Sequence, residues 1–236
     1  MAWPVMLEAV LLGAASQSSL ILSGLVVYGV RVPQRVIGAL AGFGAGALIS
    51  AIAFDLIPEG EDLNLDQLAL WLLVGAAVFV VSDRIVEARF GGEGGSGPAP
   101  LGIVVGAVVD GIPESLIFGI QLAAGQAISI AFLGAVFVSN IPQALAPSAD
   151  LAKAGWRWGR MLAMWGVVVA ACGLTAGIGF VVADATNVTG SRAAAFAAGG
   201  LLAMLTDSLM PYAFDRGGSA AGVWTVVGFA AAMASA

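Results

Sequence analysis

The sequence predicts an all-α polytopic membrane protein with eight transmembrane helices. Three observations carry that expectation. Of 236 residues, 60% are hydrophobic and only 10% are charged, where an ordinary soluble domain carries about 25% charged residues. Apolar stretches of about 20 residues, each long enough to cross a hydrocarbon core of ~30 Å, recur along the whole length. Basic residues gather in alternate loops.

Taken in order, the expected spans are 5–29, 36–57, 67–89, 101–121, 126–149, 158–182, 193–213 and 217–235, in a single transmembrane domain 1–236. The first has no positive segment ahead of its apolar run and carries Glu8 instead, so it reads as a membrane helix rather than a cleaved signal peptide. The Gly- and Pro-rich piece GGEGGSGPAP, 91–100, reads as a flexible cytoplasmic connection. The lone cysteine, Cys172, falls in an apolar run and reads as a small packing residue.

Orientation follows from Lys and Arg. Arg31, Arg35, Arg84, Arg89, Lys153, Arg157, Arg160 and Arg216 all fall in loops on one side, and only Arg192 is opposite. The positive-inside rule puts that side in the cytoplasm and both termini outside, in a plasma (inner) membrane. The acidic group Glu59, Glu61, Asp62 and Asp66 then faces the exterior at the end of the second span. A net charge of −6 without a basic arm gives no reason to expect nucleic acid as a partner.

One motif recurs. Asp110-Gly111-Ile112-Pro113-Glu114 in the fourth span matches Asp55-Leu56-Ile57-Pro58-Glu59 in the second. Ser139-Asn140-Ile141-Pro142-Gln143 in the fifth is a neutral polar version, and Ser208-Leu209-Met210-Pro211-Tyr212 in the seventh a weaker one, preceded by Asp207. The second and seventh spans align further: FGAGALISAIAFDLIPEG and FAAGGLLAMLTDSLMPYA share Phe, Gly, Leu and Pro at the same offsets. Four spans lie between them, an even number, so the two copies run in opposite directions. Inverted repeats interrupted by Pro and Gly are a mark of secondary transporters.

The spacing has a chemical logic. Positions i and i+4 share a helix face, so Asp110 and Glu114 project together. Pro113 and Pro142 lack an N–H and leave the carbonyls of Val109 and Val138 short of partners. Such backbone is tolerated in a membrane where it lines a cavity, and a carboxylate at mid-span marks a functional site. A divalent cation held between the fourth and fifth spans would offset both costs. For Asp55, Glu59 and Asp207, solvation at an interface is the competing reading; for Asn140 and Gln143 it is interhelical hydrogen bonding. Ser139 is the weakest candidate.

At these residues the chain resembles the ZIP (Zrt/Irt-like) family of divalent metal transporters, whose fourth-helix run H-N-x-P-E-G and fifth-helix run [H/Q]-[N/D]-x-P-E correspond to the segments beginning at Asp110 and Ser139. Phe54 to Glu59 is similar to that family's H-L-x-P-E-A. The resemblance implies eight helices in a 3+2+3 arrangement with inverted repeats. It also implies one metal site at Asp110, Glu114, Ser139 and Gln143, and a second at or beside Gly111, Asn140 and Asp207. The chain departs from the family in having no histidine. Zinc sites ordinarily use imidazole or thiolate, whereas an all-oxygen set suits harder ions.

The expected function is therefore transport of a divalent cation (Mn²⁺, Fe²⁺, Mg²⁺ or Zn²⁺) by an elevator or rocking-bundle movement, without enzymatic activity or a resident cofactor. The expected partners are the cation and the lipid bilayer, with a homodimer left open. The alternatives are a non-metal or proton-coupled solute carrier, a transport-inactive ZIP-like protein, and an intramembrane aspartyl hydrolase using Asp110 and Asp207.

Overall fold

The computed structural model describes residues 2–60, 62–90, 100–186 and 190–235. The connection expected to be flexible, 91–100, lies outside them apart from Pro100, as does Glu61. The described residues form eight helical rods. Rod α1 joins Ala2–Gln17 to Ser19–Val26, and α2 runs Gln34–Ala51, Ile52–Leu56, Ile57–Glu59. Single helices follow: α3 (Leu65–Phe90), α4 (Pro100–Ala123), α5 (Ile130–Lys153) and α6 (Trp158–Thr186). Rod α7 runs Gly190–Met204, Leu205–Leu209, Met210–Gly217, and α8 is Ala220–Met233. Seven rods are long and apolar enough to cross a membrane. This is the build of a helical membrane protein.

Local chemistry sets several boundaries. Ser129 caps α5, its Oγ accepting from the Phe132 N–H at 3.1 Å, which satisfies one of the orphan donors of a helix start. Gly125, Gly155 and Gly218, all at positive φ, follow the ends of α4, α5 and α7, a conformation that costs a residue with a Cβ. The last of them delays the start of α8, which spans 14 residues, Ala220–Met233, against the expected 217–235.

The rods sort into two groups by their packing. In one, α6 packs along α4 and α1, and α1 also packs on α4 and α5. In the other, α2 packs along α8, α3 along α7, and the final segment of α7 returns to α2. The groups meet mainly where α5 lies on α2 and where α4 lies on α3 and α7.

The second group carries the repeat further than the aligned sequence does. A Cβ on Gly46 (α2) would strike the Thr225 carbonyl of α8, and one on Gly228 (α8) the Phe43 carbonyl of α2. In the other pair, a Cβ on Gly199 (α7) would strike the Leu72 carbonyl of α3, and one on Gly75 (α3) the Phe196 carbonyl of α7. Positions 43 and 46 correspond to 196 and 199, and 225 and 228 to 72 and 75, by a shift of the same size, forward along the chain for the first pair and backward for the second. Thus α2–α8 and α7–α3 are the same small-residue contact built twice. The copies share a second feature. Each carries a five-residue π-helical stretch, Ile52–Leu56 and Leu205–Leu209, at the same place ahead of Pro58 and Pro211. Proline removes a donor and pushes back the preceding turn, and a widened turn absorbs that displacement; such stretches favour functional regions.

Candidate metal centre

Rod α4 stays helical through Pro113, whose ring packs near Gly200 of α7, a Cβ there lying 3.4 Å from Pro113 Cβ. One residue on, Glu114 turns inward and is 1% exposed. The groups around it come from α1 and α5. Gln17 is fully buried and sits where α1 breaks between its two segments; its Nε2 donates to Glu114 Oε2 at 2.7 Å. Asn140 is also buried. Its Nδ2 donates to the Val136 carbonyl at 3.0 Å and, at a long 3.5 Å, to the same Glu114 oxygen.

Two oxygens in this cluster are buried without a hydrogen-bond partner: Glu114 Oε1 and Gln17 Oε1. A buried acceptor left unmade costs about 1–3 kcal/mol, and more for a charged group. The salt bridge found among the described residues is Lys153–Asp150 at 3.0 Å, between exposed side chains, so it does not compensate Glu114. A site with one carboxylate, two amides and unsatisfied oxygens is suited to taking up a cation. Glycine at 111 is what lets α6 close around it. A Cβ there would stand 2.5 Å from Cys172 Sγ and 3.4 Å from Gln17 Nε2. Cys172 is buried, as a packing residue should be.

The other candidates sit in different surroundings. Asp110, one turn from Glu114, is only partly buried, and its charge is felt together with those of Asp83 on α3 and Asp207 on α7. Between these helices lies a cavity of about 90 Å³ bounded by Gly75, Phe79, Val109, Pro113, Phe196 and Gly200. Asp207 is exposed within the second π-helical stretch. Ser139 is fully buried, but its Oγ donates within its own helix to the Val136 carbonyl at 2.9 Å, and its backbone abuts Gly44 of α2. Gln143 is half-buried one turn further along α5. The backbone of Glu59 closes the last turn of α2; its side chain lies outside the described part.

Asp55 has a structural occupation: it accepts from Ser129 Oγ at 3.0 Å and so ties α2 to the capped start of α5. Asp55→Ala should cost about 1 kcal/mol, the usual net value of one hydrogen bond, read as a small drop in melting temperature. A second tie crosses between the helix groups. Tyr212 Oη donates to the Pro142 carbonyl at 2.8 Å, while the Arg216 guanidinium lies 3.7 Å over the Tyr212 ring. Tyr212→Phe keeps the ring and drops the donor, so a loss of about 0.5–1.5 kcal/mol is expected in the same melting assay.

Asn140 thus meets Glu114, although the resemblance implied separate sites for the two; Asp110, one turn from Glu114, also faces Asp83 of α3 and Asp207 of α7, and Gln17 joins from a helix to which no site residue had been assigned. Its signal in the sequence is the polar run Ser16-Gln17-Ser18-Ser19 inside the first apolar span. Among the described residues, no group of three or more His, Cys, Asp or Glu side chains could hold a metal ion; the donors here are one acid and neutral amides. No protein-family model matches the chain, and no curated protein matches its sequence.

Proposed function

We propose that this chain is a permease for a hard divalent cation, of which Mn²⁺ and Mg²⁺ fit its donors best, and that it is a divergent relative of the ZIP transporters. The observation that carries the reading is Glu114: a carboxylate 1% exposed, near the middle of a membrane helix, with amide nitrogens on one oxygen and nothing on the other. Ionisable groups in such positions are costly to insert and belong to transport pathways. Oxygen donors without imidazole or thiolate favour Mg²⁺- and Mn²⁺-like ions over zinc. The contact pattern supports a rocking or elevator movement in which α1, α4, α5 and α6 carry the cation past α2, α3, α7 and α8. Asp110, with Asp83 and Asp207 nearby, would form the next acidic stage along the path.

A second reading has its own support. With no cluster of three acidic or soft ligands among the described residues, a single buried carboxylate also suits a carrier that loads and unloads a proton to move another solute. Purified protein in liposomes separates the two. Uptake of Mn²⁺ that unlabelled Mg²⁺ competes for, and Zn²⁺ competes for poorly, supports the permease. Proton movement that needs no divalent ion, with no Mn²⁺ uptake, supports the carrier and refutes the permease.

A further inference from the structure

We propose that Gln17 is a ligand of the transported cation, and that in the cation-free state its amide nitrogen stands in for that ion. The inference rests on the permease reading and adds a residue from α1 to it. Gln17 is fully buried in the break of its rod, and its Nε2 is held 2.7 Å from Glu114 Oε2. That is at the short end of the range for an N–H···O bond. The arrangement nonetheless leaves Gln17 Oε1 and Glu114 Oε1 buried and unpartnered. Packing alone does not account for that, since an apolar side chain of the same volume would leave no orphan acceptor.

A half-turn of the terminal amide resolves it. The rotation withdraws the N–H from Glu114 and presents Oε1 in its place, so the carboxylate and the amide oxygen can face one cation. The amide therefore competes with the ion when its nitrogen points in and ligates it when its oxygen does. Gly111 borders the amide without crowding it: even a Cβ there would stand at ordinary contact distance, 3.4 Å from Nε2 and 3.5 Å from Cδ of Gln17. Selectivity follows from the charge count. With a single carboxylate and neutral oxygens, the site leaves positive charge on the ion, which favours cations that keep part of their water. A carboxylate at 17 would change that balance directly.

The test is Mn²⁺ binding to the purified full chain at neutral pH, followed by the loss of the free Mn²⁺ paramagnetic resonance signal, with Mg²⁺ as competitor. Four proteins are compared: wild type, Glu114→Gln, Gln17→Leu and Gln17→Glu. Wild type should bind and Glu114→Gln should not. Gln17→Leu should bind at least tenfold more weakly, and Gln17→Glu at least tenfold more tightly with an altered Mn²⁺/Mg²⁺ ratio. If wild type binds, Glu114→Gln does not, and Gln17→Glu matches wild type in affinity and ratio, Gln17 is a packing partner and this inference falls while the permease reading stands. If wild type binds neither ion, the permease reading falls and the inference goes with it. Gln17→Glu decides the matter even where Gln17→Leu does not fold.

Discussion

Glu114→Gln is expected to reduce cation uptake into liposomes by more than 100-fold while the protein still folds. The substitution keeps the volume of a side chain that is 1% exposed, so packing around it has little reason to change. What disappears is the charge. Unit charges 4 Å apart attract by about 4 kcal/mol at an effective dielectric of 20, and a doubly charged ion in direct contact is held more strongly. Most of that attraction is spent on stripping water from the ion, but a remainder of about 3 kcal/mol already corresponds to a factor of 100. Glu114→Asp makes a useful companion. It keeps the charge but withdraws it by one methylene from Gln17 and Asn140, so uptake should be impaired and not abolished. Equal uptake by wild type and Glu114→Gln, in protein with an unaltered melting temperature, would remove Glu114 from the path.

Gly75→Ala and Gly228→Ala should each destabilise the protein strongly, and to a similar degree. Both glycines sit where helix backbones touch: a Cβ at 75 runs into the Phe196 carbonyl, and one at 228 into the Phe43 carbonyl. Overpacking a core usually costs about 1–3 kcal/mol, because side chains rotate away. A carbonyl inside a helix has no such freedom, so the cost belongs at or above the upper end of that range. The near-equality is the sharper expectation, since it depends on α3–α7 and α8–α2 being two copies of one contact. Thermal melting in detergent measures both. If one substitution is severe and the other harmless, the repeat does not extend to α3 and α8.

How much of this was visible in the residues differs by level. The helical membrane build followed from composition and apolar length, because in a bilayer the backbone must satisfy itself within each span. The internal repeat was legible in α2 and α7 through Pro58, Pro211 and the shared Phe, Gly and Leu positions. Its continuation into α3 and α8 was not, because it rests on single glycines and on which carbonyl each one faces. The π-helical stretches also escaped the sequence, whose letters mark the proline but not the turn that accommodates it.

At the site, helical spacing put Asp110 and Glu114 on one face, yet neighbouring rods gave them different surroundings. Spacing within a helix does not say which neighbour meets each position. Asn140 stood out as a candidate because it belongs to the repeated motif. Gln17 was not, because nothing local distinguishes it from Ser16, Ser18 or Ser19; only the docking of α1 against α4 selects it. Asp55 carries the motif as well, and what the structure adds is its bond to Ser129 at the start of α5, which the motif alone does not announce.

The most direct measurement is an anomalous difference map from crystals grown or soaked with Mn²⁺, collected above the manganese absorption edge. A peak within coordination distance of Glu114 Oε1, with the Gln17 amide turned to present its oxygen, is the expected result. Strong manganese density elsewhere in the molecule, with Glu114 still held by the Gln17 nitrogen and no peak beside it, would contradict a cation path through this carboxylate.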